Sequence, residues 1–181
     1  MRDLNERMRE LTVRICFTEH SLGSQKLEGS GRFVFSRSPN GSIIFLASWH
    51  YSNMRLAAQL LGRHQDEVGK IHWDINIEGK LRRKRWHRVY YRGRGGREKF
   101  SQHEAFFPGQ EIAVNCIVPE RINDDDLRRL MSKAGQYRGL SPYKPGEYGF
   151  FDVVSIYPRA LMVDDEDSEE DKVKEADTKT A

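Results

Sequence analysis

The sequence predicts an α+β domain of the ferredoxin-like kind. Four runs carry the two-residue period of strands and two carry the spacing of amphipathic helices. They follow one another as β-α-β-β-α-β, the split βαβ arrangement. A chain of 181 residues, 38% hydrophobic, is long enough to bury one proper core.

Each element has its own warrant. Leu11, Val13, Ile15 and Phe17 alternate with Thr12, Arg14, Cys16 and Thr18, the pattern of a half-buried strand. Met54, Ala57, Ala58 and Leu61 recur at i, i+3, i+4 and i+7, an apolar helical stripe that Gly62 can end. Ile71, Trp73, Ile75 and Ile77 alternate with His72, Asp74, Asn76 and Glu78, the cleanest strand in the chain. Ile112, Val114, Cys116 and Val118 alternate again, and Pro119 closes the run. Asn123 suits an N-cap, with Asp124, Asp125 and Asp126 in the first turn, where the helix dipole favours negative charge. Leu127, Leu130, Met131 and Ala134 form that helix's buried stripe, and Gly135 can end it. Tyr148 to Tyr157 is rich in aromatic and β-branched residues, as expected of a largely covered last strand.

Two insertions decorate this frame. Residues 19–50 contain an apolar run, Ile43 to Trp49, expected to add one more strand. Residues 79–108 separate the two middle strands and carry a basic block. Residues 1–163 read as one basic domain, and residues 164–181 as a disordered acidic tail with too little apolar content to offset chain entropy.

Charge is divided sharply between these parts. Asp164 to Ala181 holds nine acids and three lysines, a net −6; the whole chain is +3, so residues 1–163 carry +9. Lys80 to Lys99 alone has ten Lys or Arg against one acid, Glu98. No run of about 18 apolar residues spans a membrane. The opening MRDLNERMRE lacks the apolar stretch of a signal peptide. Cys16 and Cys116 sit in alternating apolar runs and read as buried free thiols of a reducing compartment, so a cytoplasmic location is expected. No Cys/His pairing has metal-ligand spacing, and no cofactor is expected.

The basic block, GKLRRKRWHRVYYRGRGGREKF, has the chemistry of a polyanion contact. Phosphate binding strengthens with the number of cations that displace counterions, and the planar guanidinium pairs well with phosphate oxygens. Lys80, Arg82, Arg83, Lys84, Arg85, Arg88, Arg92, Arg94, Arg97 and Lys99 supply charge. Trp86, Tyr90 and Tyr91 offer faces for unpaired bases. Gly93, Gly95 and Gly96 would keep the loop mobile and let a strand approach closely. The blander alternative is a solvated hairpin whose charge aids solubility. The acidic tail admits three uses: solubilisation, docking of a partner protein, or competition for the basic block through Coulomb attraction.

AGQYRGLSPYKPGEYGFFDV, Ala134 to Val153, is the most distinctive segment. Gly135, Gly139, Gly146 and Gly149 punctuate a link from helix to strand, where Arg138 and Lys144 could meet phosphates. It reads equally as a tightly packed loop in which Pro142 and Pro145 fix turns. With Leu22-Gly23-Ser24 and His103-Glu104, the stretch GLSPYKPGEYGFF resembles a family of small proteins of temperate phages and mobile elements, across residues 11–157. The glycine-rich link is also similar to that of the RAMP proteins of CRISPR systems. That resemblance implies a ferredoxin-like domain that holds RNA.

No GxxxxGK[ST], HExxH or GxSxG motif is present. Of the histidines, His20 beside Glu19, His50 beside Tyr51 and His103 beside Glu104 suggest acid–base pairs, but neighbours on a strand face opposite ways. The expectation is a non-catalytic protein that binds single-stranded DNA or RNA in phage replication or recombination. Its rivals are a phage factor docking on a host or virion protein, and a RAMP-like, metal-independent ribonuclease using His20 or His50.

Overall fold

The computed structural model describes residues 6–78, 85–92, 96–143 and 148–159. The acidic segment 164–181, the cations Lys80, Arg82, Arg83, Lys84, Arg94 and Lys144, and the glycines Gly93, Gly95 and Gly146 lie outside these residues. The architecture is mixed α+β, with two sheets that are antiparallel apart from one pairing.

The larger sheet contains β1 (Met8–Phe17), β5 (His72–Glu78), β8 (Glu111–Pro119) and β9 (Phe151–Pro158), in the order β5-β8-β1-β9. Leu11 pairs with Cys116, Val13 with Val114 and Ile15 with Ile112, so the alternating apolar sets share one face. Helices α1 (Ala47–Leu60) and α3 (Asp124–Tyr137) pack on each other, with α3 against β9 and α1 against β5. The core between the layers holds Val13, Ile15 and Phe17 with Met54, Ala57, Leu127, Leu130 and Met131. A four-residue helix, α2 (Gln65–Val68), follows α1 and buries Val68.

Several sequence expectations hold. The Asn123 side chain accepts a hydrogen bond from the Asp126 N–H at 2.8 Å and caps α3. Leu127, Leu130, Met131 and Ala134 are buried. Gly62, at φ +67°, follows the C-cap of α1. Cys16 and Cys116 are free thiols, Cys116 buried as expected and Cys16 only half-buried, and burial pushes the Cys116 thiol up to about 12.

Others need correction. Ile43 to Trp49 is not a strand: Ile43 makes an isolated bridge to Arg37, and α1 already begins at Ala47. Its N-cap is Leu46, with no capping side chain, so the sequence carries no start signal there. Leu61 lies beyond the helix and is 39% exposed. Gly135 does not end α3 but lies within it, where it lets β9 approach closely: a Cβ there would meet the Phe151 carbonyl oxygen at 2.2 Å. The last strand starts at Phe151 and is an edge strand with a half-exposed pattern.

The two insertions meet in a second sheet. Residues 19–50 supply β2 (Ser21–Leu22), β3 (Gln25–Leu27) and β4 (Arg32–Val34), and the other insertion supplies β6 (Trp86–Arg92) and β7 (Glu98–Phe106). The order is β2-β7-β4-β3, with β6 pairing along β7; β4 and β7 run parallel. Phe106 roots this sheet in the main core, its ring 5.3 Å from Phe17 and 5.1 Å from Phe35. Glu104 is fully buried, accepts from the Phe35 N–H at 3.1 Å, and takes both guanidinium arms of Arg37. This bidentate ion pair ties β7 to the chain beyond β4.

Among the described residues no helix is long and apolar enough to cross a membrane.

Candidate nucleic-acid interface

The described part of the basic block is an ordered hairpin. Seven residue pairs join β6 to β7, from Trp86↔Glu104 to Arg92↔Glu98. Alternation puts Trp86, Arg88, Tyr90 and Arg92 on one face, opposite Gln102, Phe100 and Glu98. Tyr90 is 65% and Phe100 53% exposed, and their rings stand 6.1 Å apart as a cross-strand pair. The Arg88 guanidinium lies 5.3 Å over the Phe100 ring. Arg32 of β4 extends the same surface, 5.1 Å over Trp86 and donating from Nε to Gln102 Oε1 at 3.1 Å. The result is a row in which cations alternate with aromatic rings, Tyr90 and Phe100 being more than half exposed, with one acid, Glu98, across from Arg92. Tyr91 is 48% exposed and points the other way, and Arg97 and Lys99 are exposed near the hairpin end. Arg85 covers Phe107 at 4.5 Å.

The opposite face holds the hairpin down. Val89 is buried with Leu22 and Ala105, against Phe107, Tyr143 and Tyr148. His103 is fully buried and stacked on Phe33 at 4.6 Å. Its Nδ1 lies 2.7 Å from the Gly23 carbonyl oxygen, which can only accept, so the ring proton sits there. Nε2, 2.8 Å from Ser101 Oγ, then accepts the hydroxyl proton. Desolvation lowers the His103 pKa, partly opposed by the Gly23 hydrogen bond. His103 thus packs the fold as a neutral ring within β7.

Beside it, His20 and His87 have ring centroids 4.1 Å apart, with Phe107 at 4.7 Å from His20 and Tyr148 at 6.2 Å from His87. Desolvation lowers both pKa values; Glu19 opposes the shift at His20, while His20 and His103 add to it at His87. His50 is elsewhere, fully buried under β5 and stacked on Trp73 at 4.7 Å. Burial lowers it to about 4, and it cannot reach a substrate.

The glycine-rich link is built chiefly for packing. Gly139 and Gly149, at φ +64° and +81°, cross so closely that a Cβ on Gly139 would meet the Gly149 carbonyl carbon at 2.4 Å. The Leu140 N–H donates to the Gly149 carbonyl at 2.7 Å, and the Gly149 N–H to the His20 carbonyl at 2.7 Å. Ser21 Oγ donates to the Leu140 carbonyl at 2.6 Å. The link therefore sews α3 and β9 to the start of the second sheet and leads Tyr143 and Tyr148 beneath the hairpin. Arg138 does not extend the hairpin surface. It is the C-cap of α3 and lines a separate cleft with Tyr51 and Arg55 of α1.

Sequence reasoning missed Phe100, Arg32 and Gln102 on the open face and His87 and Tyr148 beneath it. Strand alternation across β7 would have paired Phe100 with the aromatics of β6; nothing local marks Arg32, which arrives through a parallel pairing 70 residues distant.

No family model matches the chain and no curated protein matches it, so the phage-protein resemblance gains no support there. Among solved structures, the chain is similar to one in the Type III-B Cmr-beta assembly determined bound to cognate target RNA. The two share 13% identity at a TM-score of 0.58, over 83% of this chain and 60% of that one. The likeness is one of fold. This chain spans about three fifths of that chain's length.

Proposed function

We propose that this protein binds single-stranded nucleic acid, RNA in preference to DNA, on the open face of β6 and β7, without cleaving it. The carrying observation is the exposed Tyr90–Phe100 pair flanked by Arg88 and Arg92. Bases stack on open aromatic faces while guanidiniums hold the phosphates between them, and duplexes hide the base faces this surface offers. The order β5-β8-β1-β9 with two helices on one face supports reading the larger sheet as ferredoxin-like. That reading and the fold shared with a chain of an RNA-bound assembly favour RNA. A phage replication or recombination setting rests on the sequence resemblance alone.

Mobility shifts with single- and double-stranded RNA and DNA test the proposal. Changing Tyr90 and Phe100 together to Ala should weaken single-strand binding by about 1–3 kcal/mol for each base that loses its platform. Replacing Arg88 and Arg92 should flatten the salt dependence by about 0.7 in the logarithmic slope for each phosphate no longer neutralised. Equal affinity in both variants sinks the assignment.

A second reading is a metal-independent ribonuclease built on His20 and His87, which touch at the root of the hairpin. Both favour the neutral form that a general base needs. Against it, rings in contact leave no space between them for a scissile phosphate. Cleavage of RNA that disappears in His20→Ala would establish this reading, and intact RNA after prolonged incubation would remove it.

A further inference from the structure

A cleft of about 300 Å³ lies on the helical side, lined by Tyr51, Ser52, Arg55 and Gln59 of α1, Gln65 of α2 and Arg138 at the end of α3. We propose that it is a second, separate phosphate site, sized for the phosphate and sugar of one nucleotide. It does not depend on the hairpin reading.

Arg55 is held in place by its neighbours. Its Nε and Nη2 both donate to Gln65 Oε1, at 2.9 and 2.5 Å, and its guanidinium lies 5.5 Å over the Tyr51 ring. The group is fixed before any ligand arrives, so binding costs little further side-chain entropy. Its acceptor is a carboxamide. By contrast Arg9, Arg14, Arg37, Arg63, Arg121 and Arg159 each have a carboxylate within ion-pair distance. Arg55 is therefore oriented as if by an ion pair, while among the described residues no carboxylate lies within ion-pair distance of it.

Arg138 supplies the second cation and makes no ion pair among the described residues. No lining residue is acidic, and Ser52 and Gln59 add neutral donors. One force opposes an anion here: α3 ends at Arg138, and a helix C-terminus carries about half a negative charge. Two guanidiniums outweigh it. Their planar donors suit the tetrahedral oxygens of a phosphate better than a single carboxylate, because three oxygens can be shared between two forks.

Calorimetric titration of the full chain with inorganic phosphate and with AMP tests the site. Saturable binding is expected, with AMP the tighter. Gln65→Glu is the decisive variant, since the new carboxylate keeps the hold on Arg55 and cancels its charge. It should melt no lower than the parent yet bind at least about tenfold more weakly, and Arg138→Gln should weaken binding similarly. Tyr90→Ala with Phe100→Ala should titrate like the parent, which separates this site from the hairpin. In that hairpin variant, tighter binding of a 5′-phosphorylated than a 5′-hydroxyl oligonucleotide assigns the site to a strand end; equal binding assigns it to free nucleotides. Absence of saturable phosphate and AMP binding overturns the proposal, as does a Gln65→Glu protein that titrates like its parent.

Discussion

Away from Phe106, which roots the smaller sheet in the core, the two sheets place aromatic residues differently. In the larger one, Phe17 and Phe151 are 0% and 2% exposed and lie in the core under the helices. In the smaller one, Tyr90, Tyr91 and Phe100 stand about half or more in solvent, although their β-propensity is the same. The difference lies in what faces them. The larger sheet is covered by two helices, whereas Tyr90 and Phe100 on the outer face of the hairpin stay more than half exposed, with only the side chains of Arg32 and Arg88 lying over Trp86 and Phe100. One sheet builds the fold, and the other, pinned to it at one end, presents a surface.

The strongest way to break that relation is to cut the pin. Glu104 is the buried acceptor joining β7 to residues 35–37, and Glu104→Ala leaves Arg37 without its partner and the Phe35 N–H without an acceptor. Each hydrogen bond to the buried carboxylate contributes about 1.5–3 kcal/mol, less at Arg37, whose side chain is 28% exposed. The expected outcome is a large fall in urea midpoint together with loss of single-strand binding. If the variant kept both, the second sheet would be stable without its anchor.

Acid distinguishes the layers next. His50 lies in the core beneath β5, surrounded by Trp73, Phe45, Met54 and Met131, and its Nε2 has no hydrogen-bond partner among the described residues. Burial lowers it from 6.5 to about 4 in the folded protein. A depressed folded pKa means that the neutral ring favours the fold above pH 6.5. That contribution is lost as pH falls from 6.5 towards 4, where the unfolded chain binds a proton the folded one refuses. Over this window the loss approaches about 3 kcal/mol, from 1.36 kcal/mol per pH unit. Urea denaturation at pH 7, 5.5 and 4 should show the decline, and His50→Phe should flatten it. An unchanged slope in that variant would assign the acid sensitivity to His87 and His103 of the second sheet and to His20 just before it, whose pKa values desolvation also lowers.

The same contrast explains what the sequence disclosed. The strands of the larger sheet alternate because one face packs against the helices while the other carries mostly polar residues, and that periodicity is written locally in Leu11–Phe17 and Ile112–Val118. Asn123 and the aspartates after it announce α3. The start of α1 was illegible because Leu46 offers no cap, and Ile43 and Phe45 are buried before the helix begins. The second sheet was the least legible part. Its strands β2, β3 and β4 are two or three residues long and come from another insertion, so no local period betrays them. For the site, charge and aromatic content located the hairpin, but only the register revealed that Arg88, Tyr90 and Phe100 share a face. Arg138, placed by charge alone on the same surface, belongs to a different one, since the chain between it and the hairpin root turns through the Gly139–Gly149 crossing.

The smallest expected effect sharpens the comparison from outside both sheets. Residues 164–181 carry −6, and the hairpin is the densest block of opposite charge in the chain. Attraction between such blocks is screened over about 8 Å at physiological salt, so a tail that competes with a ligand should do so weakly there and more strongly as salt falls. Deleting 164–181 should tighten single-strand binding a few-fold at low salt, with the gain shrinking towards zero as salt is raised. The urea midpoint, set by the core and the Glu104 anchor, should stay where it was. Because the interaction is between charge and charge, the gain should survive Tyr90→Ala with Phe100→Ala and shrink when Arg88 and Arg92, two of the ten cations of residues 80–99, are replaced. A gain with the reverse dependence would mean that the tail covers the aromatic faces. No gain at any salt would leave the hairpin a surface open only to external ligands.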